Sequence, residues 1–150
     1  MIKIVIPALA FVVTSAFAQK INDADVPTVV KDSFKEKFSS AKNVRWSKEN
    51  ESEFEAEFKT SVGKQSANFD MTGMWLLTET VIDQKTLPAP VMQTIKKEFS
   101  SYKIEEVERV ETASQGTFFE VEMESKEKTI IVQLSGDGKV LKSETEEEDK

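Results

Sequence analysis

The chain has 150 residues, and its 20 Lys and Arg against 27 Asp and Glu give a formal net charge of −7. Its 39% hydrophobic and 31% charged residues are typical of a globular protein, and the length allows one domain or two small ones. Because the sequence holds no Cys and no His, it excludes disulfides, thiolate zinc sites, cysteine nucleophiles and catalysis by an imidazole group. The acidic balance also argues against binding to nucleic acid, which requires a basic surface.

The first 18 residues have the layout of a secretory signal peptide. Lys3 precedes an apolar run over residues 4–13, and Ala16-Phe17-Ala18 is an A-x-A cleavage pattern. The apolar run is shorter than the roughly 20 residues that a membrane span needs. We therefore expect cleavage after Ala18, a periplasmic or secreted location, and no membrane anchor in the mature chain.

Two stretches of the mature chain, 61 residues apart, share the same helical spacing. Val30, Phe34 and Phe38 in the first stretch correspond to Val91, Ile95 and Phe99 in the second. Spacings of three and four residues place these side chains on one face of a helix. Each stretch opens with a proline, which suits the first turn of a helix. The pattern predicts helices over residues 27–38 and 88–99.

After each predicted helix, the hydrophobic period changes to two. Residues 53–58 and 119–124 alternate between apolar side chains and glutamates, which is typical of half-buried antiparallel strands. The sequence predicts strands over residues 43–48, 52–60, 64–70 and 74–82, and again over 104–111, 117–124, 128–134 and 139–145. In the fifth of these strands Ile104, Val107 and Val110 are three residues apart, which predicts a bulge or a longer loop.

The duplication predicts an α+β fold of two tandem repeats, each a helix packed on a four-stranded antiparallel sheet. We expect the first repeat over residues 19–83, the second over 84–145, and an acidic tail over 146–150. A repeat of about 60 residues buries only a marginal core by itself. The two repeats should therefore pack side by side, and a continuous sheet is one way to join them.

Several short motifs of the two repeats together resemble a known protein family. They are Val26-Pro27, Phe34, Phe38, Val44-Arg45-Trp46, Phe54-Glu55-Ala56-Glu57-Phe58, Phe69-Asp70, Gly73, Trp75, Tyr102-Lys103-Ile104, Phe119-Glu120-Val121-Glu122 and Gly138-Lys139-Val140-Leu141. In this order they resemble the PepSY-like, beta-lactamase-inhibitor-like proteins exported by Bacteroidetes-type bacteria. The resemblance covers essentially the whole mature chain. It implies tandem helix-plus-sheet units, an extracytoplasmic location and no established catalytic activity, and it transfers no inhibitory residue, because a fold does not fix a function.

The sequence lacks the patterns of an enzyme and of a cofactor or metal site. It contains neither a Gly-rich phosphate loop nor a Gly-x-Ser-x-Gly elbow. Residues 70–73 and 135–138 are rich in Asp and Gly, but neither segment has the regularly spaced oxygen ligands of a calcium loop. Both segments therefore predict hairpin turns. We expect no enzymatic activity and no cofactor.

One face of the predicted sheet is available to a partner, because helices cover only the other. Five apolar residues should point under the helices: Phe54, Phe58, Phe119, Val121 and Met123. The candidate partner-binding residues on the open face are Glu55, Glu57, Glu120, Glu122, Arg45 and Arg109. We expect this face either to bind an unknown envelope or extracellular protein or peptide, basic in character, or to serve solubility alone. The alternative function is a periplasmic carrier of a small ligand or cation that uses the acidic loops and tail.

The two tryptophans have different predicted environments. Alternation places Trp46, together with Val44, on the buried side of the sheet. Trp75 lies in an apolar segment, residues 74–77, where both faces of the strand are apolar. One of those faces must meet the second repeat or a ligand, and a junction between the repeats is the more economical prediction.

Overall fold

The computed structural model describes residues 19–126 and 128–146, and the predicted signal peptide lies outside this part of the chain. Its strands are β1 (Gln19–Ile21), β2 (Lys42–Asn50), β3 (Glu53–Thr60), β4 (Gly63–Asp70), β5 (Trp75–Val81), β6 (Lys103–Thr112), β7 (Gly116–Glu124), β8 (Thr129–Ser135) and β9 (Val140–Glu146). Two α-helices, α1 (Thr28–Lys37) and α2 (Ala89–Glu98), each follow a short 3-10 helix, Asp23–Asp25 and Gln84–Thr86. Neither of these ten-residue α-helices is long and apolar enough to cross a membrane. Apart from β1, every α-helix and strand begins and ends within two residues of its predicted position.

All nine strands form one antiparallel sheet, in which they follow each other in chain order from β1 to β9. The α+β class is confirmed, but the two predicted four-stranded sheets are one continuous sheet. They are joined where β5 pairs with β6, which removes two unpaired sheet edges. The predicted repeat boundary between residues 83 and 84 stays a prediction. Of the predicted acidic tail, Glu146 is the last residue of β9, and residues 147–150 lie outside the described part.

An aromatic core joins α1 to the first strands of the sheet. Val30 and Phe34 are the buried residues of α1. The ring of Phe34 lies edge-on at 5.3 Å from Trp46 and at 5.1 Å from Phe58, between ring centroids. Such pairs add about 0.5–1.5 kcal/mol each beyond the burial of apolar area. The predicted helical face and the predicted burial of Trp46 are therefore confirmed.

Two predictions for the first repeat need correction. Trp75 packs against the α1 core, with the Lys37 ammonium 3.9 Å from its ring centroid, so the face of residues 74–77 that lies at the junction of the repeats carries Leu77 and not Trp75. Val44 is 37% exposed. The cause is a β-bulge in β2, where Asn43 has a φ of 57° and the pairing with β3 shifts between Lys42 and Arg45.

An aliphatic core joins α2 to the last four strands. Val91 and Ile95 are the buried residues of the helix. They pack with Val107, Val121, Met123, Ile130, Val132 and Leu134. The predicted bulge in β6 is confirmed, because the pairing with β7 shifts between Ile104 and Glu106. This shift allows Ile104 and Val107 to contact the same core.

An equivalent glycine turn fixes each helix to the sheet. Gly73 and Gly138 have φ values of 83° and 84°. A Cβ on Gly73 would lie 2.8 Å from the Val29 carbonyl oxygen, and one on Gly138 would lie 2.5 Å from the Pro90 carbonyl oxygen. In the second repeat, the Thr94 hydroxyl also donates a hydrogen bond of 2.7 Å to the Gly138 carbonyl. Both the positive φ and the close approach of the helix require glycine here.

Candidate functional site

Both helices pack on the same face of the sheet, and in the described residues no helix covers the opposite face. Side chains paired across neighbouring antiparallel strands point to the same side. One such row, Gln65, Thr80, Arg109, Phe119 and Leu134, connects the α1 side of the sheet with the α2 core. We call the opposite surface the helix-free face. It contains Arg45, Ser47, Glu55, Glu57, Ser66, Leu77, Glu79, Glu108, Val110, Phe118, Glu120 and Glu122.

Three of the predicted partner-binding residues lie on the helix-free face of the first repeat. Glu55 is half-buried and accepts a hydrogen bond of 3.1 Å from the Ser47 hydroxyl. Glu57 is exposed, and its carboxylate lies 3.3 Å from the guanidinium of Arg45. Because both side chains of this ion pair are open to solvent, the pair contributes little to stability. Their charges are therefore available to a partner.

Two more predicted residues, Glu120 and Glu122, lie on the helix-free face of the second repeat. Glu120 pairs across the strands with Glu108 and accepts a hydrogen bond of 2.9 Å from the Gln133 amide. It is only 9% exposed. Glu122 pairs with Glu106 and is half-buried. Their role in binding stays a prediction.

Arg109 does not lie on the helix-free face, so its predicted position is wrong. It pairs with Thr80 and Phe119, on the side that carries the helices. The alternation of β6 places Glu108 on the helix-free face and therefore turns Arg109 the other way. The guanidinium lies 3.6 Å from the Glu111 carboxylate, and its buried Nε has no hydrogen-bond partner among the described residues. Arg109 consequently does not neutralise the glutamates of the helix-free face.

The predicted glutamates form two separate groups, one on β3 and one on β7. Four strand spacings of about 4.8 Å separate these strands, so the groups are roughly 19 Å apart. Glu79 of β5 and Glu108 of β6 lie between them, although the sequence pattern indicated neither as a site residue. These two side chains connect the acidic groups across the junction of the repeats.

The centre of the helix-free face is buried even though no helix covers it there. Leu77, Val110 and Phe118 are only 7%, 2% and 9% exposed. They belong to β5, β6 and β7, at the junction of the repeats. On a flat, uncovered sheet these side chains would be open to solvent, so their burial indicates that the twisted sheet curves around them. The helix-free face is therefore concave, with an apolar centre and glutamates around it.

A groove of about 610 Å³ lies on this concave surface, next to the apolar centre. Five glutamates and three cationic side chains line it: Glu55, Glu57, Glu79, Glu106, Glu108, Arg45, Lys59 and Lys64. Val44 and Val81 contribute apolar surface. A volume of this size is in the usual range of ligand sites, about 300–1,000 Å³. The groove can take side chains of a partner, and its negative charge favours a cationic one.

Two carboxyl groups, Glu108 at the junction and Glu49 of β2 beside Glu55, resist ionisation. Burial, together with the negative charges of Glu79, Glu106 and Glu120, raises the pKa of Glu108 to about 8. Among the described residues, no side chain donates a hydrogen bond to Glu108. Burial and a carboxyl–carboxyl hydrogen bond with Glu55 raise the pKa of Glu49 to about 7. The helix-free face therefore holds protons near neutral pH that a cationic group could displace.

Hydrogen bonds partly stabilise the ionised form of two neighbouring glutamates. Burial raises the pKa of Glu79, while a hydrogen bond of 2.8 Å from the Ser66 hydroxyl opposes the increase. Burial likewise raises the pKa of Glu120, and the hydrogen bond from Gln133 opposes it. These polar neighbours fix the direction of both carboxylates, so the acidic surface is ordered.

In the two Asp-rich turns, the carboxylates accept hydrogen bonds from residues of the same turn. Asp70 Oδ1 accepts hydrogen bonds from the Thr72 hydroxyl at 2.6 Å, the Thr72 amide at 2.8 Å and the Met74 amide at 3.0 Å. The hydroxyl of Thr72 is the main cause of the lowered pKa of Asp70, and that of Ser135 is the main cause of the lowered pKa of Asp137. In residues 19–126 and 128–146, no group of three or more acidic side chains is placed to hold a metal ion.

Most of the chain matches a recognised protein family. The family described as "Putative beta-lactamase-inhibitor-like, PepSY-like" matches residues 12–63 and 52–142. The chain therefore belongs to this PepSY-like, beta-lactamase-inhibitor-like family. The two overlapping matches agree with the duplication in the sequence, and the predicted resemblance is confirmed. No curated protein is significantly similar to the chain.

Solved structures from Bacteroides species share the fold. A DUF2874 family protein from Bacteroides uniformis superposes with a TM-score of 0.74 at 19% identity, over 79% of this chain and 88% of that one. A "BLIP-like protein" from Bacteroides fragilis gives a TM-score of 0.71 at 20% identity, over 83% and 90%. One of the "putative periplasmic proteins" of Bacteroides eggerthii gives 0.74 at 17% identity, over 80% and 88%. At these identities the likeness establishes the fold alone.

Proposed function

We propose that this chain is a non-catalytic interaction module that binds a basic protein or peptide segment on its helix-free face. The observation that carries the proposal is the groove, in which five glutamates and three cations surround a concave surface beside an apolar centre. We also propose that the module acts in the periplasm or outside the cell, after cleavage following Ala18. The export pattern of residues 1–18 and the fold shared with a "putative periplasmic" protein support this location.

A cationic partner would relieve an electrostatic cost that the free protein carries. Glu108 is half-buried among other carboxylates and lacks a hydrogen-bond donor within the described residues. A Lys or Arg side chain in the groove would offer a counter-charge to Glu108 and Glu79 together. Charge-assisted hydrogen bonds of this kind are roughly twice as strong as neutral ones. The chain's net charge of −7 would also increase the rate of encounter with a basic partner.

Apolar side chains give the proposed interface a second component. Val44, which is 37% exposed, and Val81 line the groove, next to the buried Leu77, Val110 and Phe118. Interfaces combine an apolar centre with a polar rim, and arginine is enriched among their strongest contacts. We therefore expect the bound segment to present Arg or Lys next to an apolar residue.

The proposal is tested with two double variants of equal charge. Glu55→Gln with Glu57→Gln removes two charges from the groove, and Glu36→Gln with Glu98→Gln removes two exposed charges from the helices. The probe is a set of fluorescent twelve-residue peptides containing alternating Arg and Leu, with Glu-containing peptides as the negative set. Binding is followed by anisotropy at low and at physiological salt.

The groove variant should bind the Arg peptides about 3–10-fold more weakly at low salt, a loss of about 0.7–1.4 kcal/mol. The difference should shrink as salt screens the charges. The helix variant should bind like the parent chain. Equal loss in both variants would show that net charge alone attracts the peptides, and would refute a site in the groove. A rise in melting temperature with calcium, without any peptide binding, would instead favour the carrier function.

A further inference from the structure

Two exposed methionines lie in the turn between β4 and β5. Met71 and Met74 are 54% and 59% exposed. Among the described residues, the other exposed large apolar side chains are Val62 at 64%, Leu141 at 50%, Val29 at 46% and Val44 at 37%, and Val29 of α1 lies next to this turn. A Cβ on the intervening Gly73 would lie 3.1 Å from a methyl group of Val29. We call Met71 and Met74 the methionine turn.

The methionine turn is not required by the fold. The second repeat contains an equivalent turn, in which Gly138 has almost the same φ as Gly73. Gly138 follows Gly73 by 65 residues, and with this offset Gly136 and Lys139 occupy the positions of Met71 and Met74. The same turn therefore forms without either thioether. The methionines need an explanation other than folding.

The backbone of the methionine turn is held by hydrogen bonds that do not involve sulfur. Asp70 Oδ1 accepts from the backbone amide of Met74, and the Asp70 and Met74 backbones also pair, with 3.0 Å between Asp70 N and Met74 O. The Gly73 amide donates to the Asp70 carbonyl at 3.0 Å. Chemical change at the two sulfur atoms would leave all these bonds in place.

Met71 and Met74 are the side chains that oxidants should reach and modify first. With no cysteine in the sequence, the thioethers are its most readily oxidised groups toward two-electron oxidants. Beyond the predicted signal peptide, the sequence has four methionines. Met123 is fully buried, and Met92 is half-buried against the α2 core. Among the described residues, only the methionine turn contains methionines that are more than half exposed.

We propose that Met71 and Met74 form a reversible oxidation site for peroxide-type oxidants. In each step, the thioether sulfur attacks one oxygen of hydrogen peroxide, and the O–O bond breaks. A sulfoxide forms, and the second oxygen leaves as water after proton transfer. Methionine loses two electrons and the peroxide gains them. Methionine sulfoxide reductases, with a thiol as the electron source, would remove the oxygen again, one enzyme for each sulfoxide epimer.

The test is a time course of hydrogen peroxide treatment of the purified full chain, with peptide mass analysis at each methionine. Met71 and Met74 should each gain one oxygen at a rate at least about tenfold higher than that of Met123, because they are exposed and Met123 is buried. The melting temperature of the oxidised chain should stay within about 1–2 °C of the untreated value, because the hydrogen bonds that hold the turn do not involve sulfur. Treatment in urea should bring all four methionines to similar rates, which shows that the fold causes the selectivity.

A Met71→Leu and Met74→Leu double variant supplies the matched control. It should keep the parent's melting temperature and lose the fast phase of oxygen uptake. Both epimer-specific reductases together should return the folded, oxidised parent to its starting mass. Rates at Met71 and Met74 no faster than at Met92, unfolding on oxidation, or sulfoxides that the reductases cannot reach would each overturn the proposal.

Discussion

Replacement of Glu108 by Gln should stabilise the chain, and the gain should grow with pH. Burial and neighbouring carboxylates raise the pKa of Glu108 from 4.5 to about 8. Because a tenfold change in an ionisation constant corresponds to about 1.36 kcal/mol, ionised Glu108 costs the fold up to about 5 kcal/mol, and about 2–3 kcal/mol once solvent access to this half-buried side chain is included. Gln keeps the shape of the side chain and removes the charge.

The direction of the pH dependence follows from proton counting. Between the unfolded pKa of 4.5 and the folded pKa of about 8, the folded chain holds a proton on Glu108 that the unfolded chain has lost. Stability therefore falls as pH rises through this window, and the full cost is reached above pH 8. The Gln variant lacks this loss. Its advantage over the parent should increase by about 1–3 kcal/mol between about pH 5.5 and pH 9.

Urea denaturation at both pH values, followed by tryptophan fluorescence, measures the difference. Other carboxylates that face Glu108, namely Glu79 of β5, Glu106 of β6, Glu120 of β7 and Glu55 of β3, are present in both proteins, so the comparison of variant and parent removes most of their effect. Glu57→Gln is the matched control on the same face, because Glu57 is exposed. A Glu108→Gln advantage that is constant with pH, or a loss of stability at the higher pH, would refute the burial of this carboxylate.

Three further predictions concern the core, the turns and processing. Phe34→Ala and Ile95→Ala should each destabilise the chain by about 2–5 kcal/mol in urea denaturation, because both side chains are buried under the helices. Unchanged urea midpoints would show that these two side chains do not pack in the core. Gly138→Ala should lower the melting temperature clearly, because its Cβ would meet the α2 backbone, whereas Gly136→Ala has open space and should be nearly neutral. The exported protein should begin at Gln19 by intact-mass analysis, and a retained leader in that fraction would contradict the cleavage prediction.

The helices and most strands were predictable because the duplication gives two independent observations of each element. The helical spacing of residues 27–38 recurs in residues 88–99, and both became helices. β1 was missed because three residues are too few to show an alternation. Its position on β2 is fixed by pairing between distant residues, from Gln19 with Lys48 to Ile21 with Trp46.

The candidate site was only half predictable, because alternation identifies a face only where the two faces differ in polarity. In β3 and β7 they differ, and their glutamates were assigned correctly to the side away from the core. In β5 the usual polarity is reversed, since Thr78 and Thr80 face the helix side and Leu77 faces the helix-free side. Polarity alone therefore does not show which side chains of β5 face the helices. For this reason Glu79, which lies between Thr78 and Thr80, was overlooked.

Arg109 shows how a bulge limits such predictions. The spacing of the apolar residues in β6 indicated an irregularity, but the side to which each later residue points depends on where the extra residue sits. The bulge lies between Ile104 and Glu106, before Arg109, so Val107 and Arg109 share the helix side. Only the pairing with β7 settles this, and pairing partners are not contained in the local pattern.

The junction of the two repeats gives the helix-free face its electrostatic character. Glu79 belongs to the last strand of the first repeat and Glu108 to the first strand of the second, and their strands pair directly. The charge of Glu79 is the largest electrostatic contribution, after burial, to the raised pKa of Glu108. A single repeat would leave β5 or β6 as an open edge, and it would lose both the apolar centre and the connection between the acidic groups. A partner that binds at this centre must therefore recognise the tandem chain, since neither half contains the surface by itself.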